Sequence, residues 1–325
     1  MSLLSRACTS VAMGAAGALY LTAMIRRNRR LVPPAVNDRD ERPLADRRFT
    51  FSDDETVTFL DVGDGPPVLL LPGADGIKET FRYQIPELAR RYRVIATDLR
   101  ARFAPQDGFD RLVRDAVELL DGLEVDRAFV LGQSLGGAIA MRFAVRYPER
   151  VLGLVLANTL ARVSYAHVGL NRTGLAPAAM ATTRYLPTVL ARLFARAWSR
   201  LEVWIFDRSP GGERVIEYAL WTGPRPTPPS ISQRRVSRLK GLDLRPELAS
   251  IEAPTLVLKG PRDHYTPPAW SKEIAELIPG ALYREVPETG HCCHISMSES
   301  FNRILLEWLD RVLDDRATDV REVQR

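Results

Sequence analysis

Five short runs of uninterrupted apolar residues constrain the fold of this 325-residue chain more than any other feature. They are "PVLLLPG" (67–73), "YRVIATD" (92–98), "RAFVLGQ" (127–133), "VLGLVLAN" (151–158) and "APTLVLKG" (253–260). A strand covered on both faces reads as such a run, because neither face meets water. Between the runs lie stretches with helical spacing: "FRYQIPELARRY" (81–92), "FDRLVRDAVELLDGL" (109–123) and "SLGGAIAMRFAVRYPE" (134–149). After residue 260 come "PPAWSKEIAELIPG" (267–280), the strand-like "ALYREVPE" (281–288) and a closing helix "ESFNRILLEWLDRVLDD" (299–315). Strands alternating with helices predict an α/β fold whose sheet is wound by right-handed crossovers. "RFTFS" and "TVTFLDVG", joined through "DDE", predict an antiparallel pair at the start. The sheet is therefore mixed but mostly parallel, with helices on both faces.

The alternation is interrupted between 158 and 251. That stretch lacks strand-like runs and is helical with Pro/Gly breaks, such as "DRSPGG" and "TGPRPTPPS". It reads as a helical cap inserted over the sheet's C-terminal edge, where α/β ligand sites form. The predicted organisation is an N-terminal segment with linker (1–48), a first core segment (49–157), the cap (158–251) and a second core segment (252–325). Within the cap, "YLPTVLARLFARAWSRLEVWIF" (185–206) sets Leu186, Leu190, Leu193, Ala197, Leu201 and Trp204 on one helical face, flanked by Arg192, Arg196 and Arg200. Such a face either packs into the cap or lies on a membrane surface.

Residues 7–25 carry no charge and are followed by "RRNRR". The length just reaches that of a bilayer-spanning helix. A signal anchor with its arginines, and hence the catalytic domain, on the cytoplasmic side is the favoured reading. An organellar presequence and a cleaved secretory signal are the alternatives. The formal charge of +5 raises nucleic acid as a partner, but only four of the 45 basic residues are Lys, and no basic-aromatic strand or DNA-binding motif is present. Nucleic-acid binding is not expected. The three cysteines, Cys8, Cys292 and Cys293, make no disulfide framework.

The chemistry centres on Gly132-Gln133-Ser134-Leu135-Gly136, placed between a buried strand and a helix. That context is what the G-x-S-x-G elbow requires, because the glycines remove side chains that would collide across a sharp turn. Ser134 is then an exposed hydroxyl at a helix N-terminus, where developing negative charge is favoured. A serine needs a base. Of His167, His264, His291 and His294, His291 in "PETGHCCHIS" lies after a glycine in the loop between the last strand and the closing helix; His294 reads as loop packing. A carboxylate must orient that imidazole, and Asp263, just beyond the strand in "LVLKGPRDHYTPP", fits the order Ser…Asp…His; Asp61, Asp64 and Asp98 precede the serine. The oxyanion donors should be the backbone N–H groups of Leu135 and of Ala74, after Pro72-Gly73. Adjacent His-Cys-Cys-His residues chelate a metal poorly, so neither a metal nor a cofactor is expected.

On "GQSLGG", "GPRDHYTP" and "ETGH", in this order and context, the chain resembles the α/β-hydrolase superfamily over about 49–157 and 252–315. The resemblance implies a Ser134–Asp263–His291 triad beneath a cap, and a small-molecule acyl substrate. It departs from the family pattern in carrying Pro72-Gly73 where members show His-Gly, and "DLRARFAP" where they often show a Gly-x-Gly loop. "LPGADGIKETF" also resembles the maspardin branch, some of whose members are non-catalytic adaptors. The expectation is a serine hydrolase cleaving an ester or related acyl bond. An acyltransferase, a carbon–carbon bond hydrolase, a cofactor-free haloperoxidase-like activity and a tethered adaptor are the alternatives. Cap aromatics Tyr165, Tyr185, Phe194, Trp198, Trp204, Phe206, Tyr218 and Trp221 point to an apolar substrate.

Overall fold

The computed structural model describes residues 17, 19–20, 22–23, 36–37, 42–163, 186–201, 205, 207–222 and 229–323. Two antiparallel strands, β1 (Arg47–Thr50) and β2 (Thr56–Val62), open the sheet, and β2 also pairs antiparallel with β4 (Arg93–Thr97). β3 (Pro67–Leu71) lies between β4 and β5 (Ala128–Gln133), parallel to both. Then β6 (Val151–Ala157), β7 (Thr255–Lys259) and β8 (Leu282–Glu285) follow in parallel, giving the order β1-β2-β4-β3-β5-β6-β7-β8. The winding reverses about β3, so the loops after β3 and β5 diverge there and leave a crevice at the strands' C-terminal ends.

Alternate strand residues face two separate cores. Leu69, Leu71, Ile95, Val130, Leu154, Leu156 and Val257 face α1 (Asp110–Gly122) and α2 (Leu135–Arg146). Val68, Leu70, Val94, Ala96, Phe129, Leu131 and Val155 face the closing helix, where Phe301, Leu305, Trp308 and Leu309 are buried. Each such side chain contributes about 2 kcal/mol through its burial, which is why these strands tolerate no polar residue until their ends.

The expected helix over 81–92 is not continuous. A 3-10 turn spans Lys78–Phe81 and a single α-turn spans Ile85–Leu88. Pro86 fits only a helix's first turn, and Gln84 is fixed by its side-chain amide to the His294 carbonyl and Asn302 Oδ1, both at 2.8 Å. Tertiary bonds outweigh local propensity there.

Between β6 and β7 the described residues form α3 (Thr188–Arg200), α4 (Gly212–Thr222) and α5 (Pro229–Ser237). α6 (Pro268–Leu277) and α7 (Ser298–Val323) complete the chain. The predicted leucine face of the cap does not bury itself. Val189, Leu190, Leu193 and Leu201 are exposed, whereas Ala191 and Ala195 point inward. Phe194 and Trp198, with ring centroids 5.0 Å apart, pack beside Tyr218 and Ile216 of α4. Bulky aromatics one turn apart fill the space against α4 and leave the leucines outside. Trp204 and residues 164–185 lie outside the described residues, as do most of 7–25. Among the described residues no helix is long and apolar enough to cross a membrane.

Candidate active site

The strand ends converge on Ser134. It sits between β5 and α2 with φ 53 and ψ −115, a left-handed conformation that costs a non-glycine residue roughly 1–3 kcal/mol. The surroundings enforce it. A Cβ on Gly132 would meet the Gly136 carbonyl, and one on Gly136 would meet the Leu71 carbonyl. Ser134 donates its N–H to the Ala157 carbonyl at 3.0 Å, and its own carbonyl accepts the Thr159 hydroxyl at 2.6 Å. The nucleophile candidate is therefore tied on both sides to β6 and its continuation.

His291 and Asp263, from the loops after β8 and β7, are brought together. The ring donates from Nδ1 to Asp263 Oδ2 at 2.9 Å, and both residues are buried. That bond leaves Nε2 as the basic nitrogen. The Gln133 side-chain amide donates toward Nε2 at 3.4 Å, and among the described residues no hydrogen bond joins Nε2 to Ser134 Oγ. Tyr265 sets the edge of its ring against the imidazole, with centroids 4.9 Å apart.

Asp263 is unusually well satisfied. Oδ1 accepts the Tyr265 and Thr266 N–H groups at 2.8 and 2.9 Å, and Oδ2 accepts the Thr266 hydroxyl at 2.6 Å. Burial alone would raise its pKa, but the His291 and Lys259 charges and their hydrogen bonds outweigh burial and hold it well below the ordinary carboxylate range. These partners favour the ionised carboxylate.

The expected oxyanion donors lie on either side of the elbow. Leu135 opens α2, so its N–H has no partner four residues back in the helix. Gly73 brings the other loop close. A Cβ there would lie 3.5 Å from Ser134 Cβ, and Ala74 is the next residue, half-buried. Two backbone N–H groups directed at one oxygen are what stabilising a tetrahedral oxyanion requires.

The remaining acids and histidines go elsewhere. Asp61 pairs with Arg47 and Arg93, and Asp98 bonds the Thr58 hydroxyl and the Lys78 backbone. His294 is buried, shares a 2.9 Å hydrogen bond with the Thr80 hydroxyl, and packs against Phe81 and Phe301. Burial, with the nearby His291 charge, lowers its pKa to about 3, so it stays neutral. His167 and Cys8 lie outside the described residues. Cys292 and Cys293 are buried free thiols whose pKa values burial raises. Among the described residues no cluster of His, Cys, Asp and Glu could hold a metal.

Four residues that the sequence did not single out shape the site. Asn158, at φ 44, donates from Nδ2 to the Gly290 and His291 carbonyls at 2.7 and 2.6 Å and accepts the Gly260 N–H at 2.9 Å. Asp207, in the insertion, accepts the Gly290 N–H at 2.7 Å and the Ser209 N–H at 3.0 Å. Asp75, beside Ala74, accepts the Tyr218 hydroxyl, and burial raises its pKa. Lys259, at the end of β7, donates to Asp263. Lys259 carried a readable signal: a charge ending a wholly buried run needs a partner, and Asp263 stands four residues on.

Comparisons with known proteins agree with this architecture. A model of the family described as alpha/beta hydrolase fold matches residues 66–296. A 2-hydroxy-6-oxo-6-phenylhexa-2,4-dienoate hydrolase of Burkholderia cepacia is 29% identical over 275 residues, covering 78% of this chain and 91% of that protein. The crystal structure of a hydrolase from Pseudomonas aeruginosa PA01 superimposes with a TM-score of 0.65 at 28% identity, covering 81% of this chain and 98% of that one. A bromoperoxidase from Bacillus anthracis superimposes with a TM-score of 0.66 at 21% identity, covering 82% and 100%, a likeness of fold.

Proposed function

The chain belongs to the α/β-hydrolase fold family, and from that premise we propose that it is a serine hydrolase of an ester or related acyl bond in a small-molecule substrate. The observation that carries the proposal is the buried Asp263–His291 hydrogen bond beside a serine held in an elbow by glycines. His291 Nε2 takes the Ser134 proton as Oγ attacks the carbonyl carbon. The oxyanion rests on the Leu135 and Ala74 N–H groups, and Asp263 stabilises the imidazolium. The protonated ring then gives its proton to the leaving group. Water, deprotonated by the same ring, releases the acyl group from Ser134.

A second reading has its own support. The Burkholderia cepacia relative is named for a substrate that carries a ketone and a carboxylate but no ester. Hydrolysis at such a ketone breaks a carbon–carbon bond and needs the same nucleophile, base and oxyanion donors. Apolar character of the substrate belongs to the proposal too, although Phe194 and Trp198 are already used in packing the insertion. Attachment to a membrane through residues 7–25, with the hydrolase domain on the cytoplasmic side, completes it.

Labelling with a fluorophosphonate tests the chemistry. Wild type should be labelled and Ser134→Ala should not. Absence of wild-type labelling, or equal labelling of the variant, would leave a non-catalytic adaptor as the better account. Esters of graded chain length and a vinylogous ketone then separate the two readings.

A further inference from the structure

Lys259 is an expensive residue. It ends β7, whose other residues Thr255, Leu256, Val257 and Leu258 are all buried, and it is itself wholly buried. Removing an ammonium from water costs several kcal/mol unless its hydrogen bonds are replaced. Here they are replaced, by Asp263 Oδ2 at 2.6 Å, by the Thr266 hydroxyl at 3.0 Å and by the Thr266 carbonyl. An apolar side chain would fill the same strand end at no such cost.

The lysine is also surplus to the orientation of Asp263. Two backbone N–H groups on Oδ1 and the Thr266 hydroxyl on Oδ2 fix the carboxylate without it. What Lys259 adds is charge, on the oxygen that His291 uses. We propose that Lys259 is a positioning residue of the hydrolytic reaction: by sharing Asp263 Oδ2 with His291 it limits the carboxylate's pull on the imidazolium and keeps the ring a competent base into acidic solution. The proposal rests on the reading of Ser134 and His291 as nucleophile and base.

The geometry sets the size of the effect. Ammonium and ring bond the same oxygen, so the two cations would lie within ~6 Å, and at an effective dielectric constant of ~20 their repulsion is worth about two pH units. Other groups face the ring and remain when Lys259 is changed. Asp75 lies near it from the loop after β3, and Asp207 of the insertion holds the N–H of the preceding residue, Gly290. Gln133, Ser134 and Tyr265 are uncharged. His294 is kept neutral by burial, and Cys292 and Cys293 are kept as thiols by burial. Replacing Lys259 thus isolates its own charge.

The test is the pH dependence of fluorophosphonate labelling, for wild type, Lys259→Met and Lys259→Gln, across the histidine titration range. Both variants should show the acid limb moved about one to two units to higher pH, with the plateau rate within about tenfold of wild type. A merely structural lysine would lower thermal stability or the plateau and leave the limb in place, and that result overturns the proposal. Should neither variant fold, Lys259→Leu, which fills the apolar strand end, takes their place under the same two outcomes. Absence of wild-type labelling removes the hydrolase reading and this inference with it, whereas labelling with an unmoved limb removes the inference alone.

Discussion

Asp207→Asn probes the joint between the insertion and the loop that carries His291. The Asp207 carboxylate is 1% exposed. One oxygen accepts the Gly290 N–H at 2.7 Å and the Ser296 hydroxyl at 3.3 Å; the other accepts the Ser209 N–H at 3.0 Å and the Ser209 hydroxyl at 2.5 Å. Each oxygen faces a backbone donor, so an amide must turn its NH₂ toward one of them. Serine hydroxyls can rotate away, but a backbone N–H cannot. One buried N–H without a partner costs about 1–3 kcal/mol, and loss of the charge weakens the surviving bonds by about 1 kcal/mol more. The expected loss is about 2–4 kcal/mol, read as a lower urea midpoint with an unchanged slope. The base should nevertheless stay in place, because Asn158 still holds the Gly290 and His291 carbonyls. Labelling of Ser134 should therefore fall less than tenfold. A variant within about 0.5 kcal/mol of wild type would refute the hydrogen-bond reasoning, since surface changes give that much. A stable variant with its labelling abolished would refute the division of labour between Asp207 and Asn158.

Two further outcomes are expected, one from the burial of His294 and one from the proposed anchor. His294 has its pKa lowered from 6.5 to about 3 by burial, so the unfolded chain binds a proton in that interval and the folded chain does not. Its contribution is therefore complete above pH 6.5 and is lost as pH falls, by up to about 1.4 kcal/mol per pH unit, and His294→Gln, which can keep the Thr80 bond, should flatten the acid side of a plot of melting temperature against pH; an unchanged slope rejects this. For residues 7–25, the full chain should sediment with membranes and a chain of residues 31–325 should not, and identical partitioning of the two ends the anchor proposal.

The strands were legible because a strand hidden on both faces has no choice of composition. Leu69, Leu70, Val130, Leu131, Val257 and Leu258 are all buried. The elbow was legible for a related reason: Gly132 and Gly136 each lie against a backbone carbonyl, so the local sequence carries the tertiary constraint. The apolar face of 185–206 was not. Periodicity gives which residues share a side, but which side faces inward depends on α4, and there Phe194 and Trp198 outcompete the leucines. Asp75 and Asp207 were invisible because their partners, Tyr218 and Gly290, are 143 and 83 residues away. The signal at Lys259 is ambiguous, because a charge at the end of an apolar run also reads as the point where a strand reaches solvent.

Asn158 explains how the loops that carry Ser134, Asp263 and His291 are held together. Its left-handed backbone, which Asn tolerates better than most residues, turns the chain sharply after β6. Its N–H bonds the Leu258 carbonyl and its side chain bonds the loops of acid and base. Its carbonyl accepts the Thr266 hydroxyl that also bonds Asp263. The next residue, Thr159, holds the Ser134 carbonyl. Asn158 and Thr159 precede the insertion's helices, and none of these partners belongs to the insertion. Changes in the insertion's helices therefore leave these bonds in place, and Asn158 and Thr159 hold the spacing of Ser134, His291 and Asp263 from the core. Asp207 is one of the contacts through which the insertion reaches the loop of His291, and Cys292 of that loop packs against Val215, Ile216 and Tyr218 of α4.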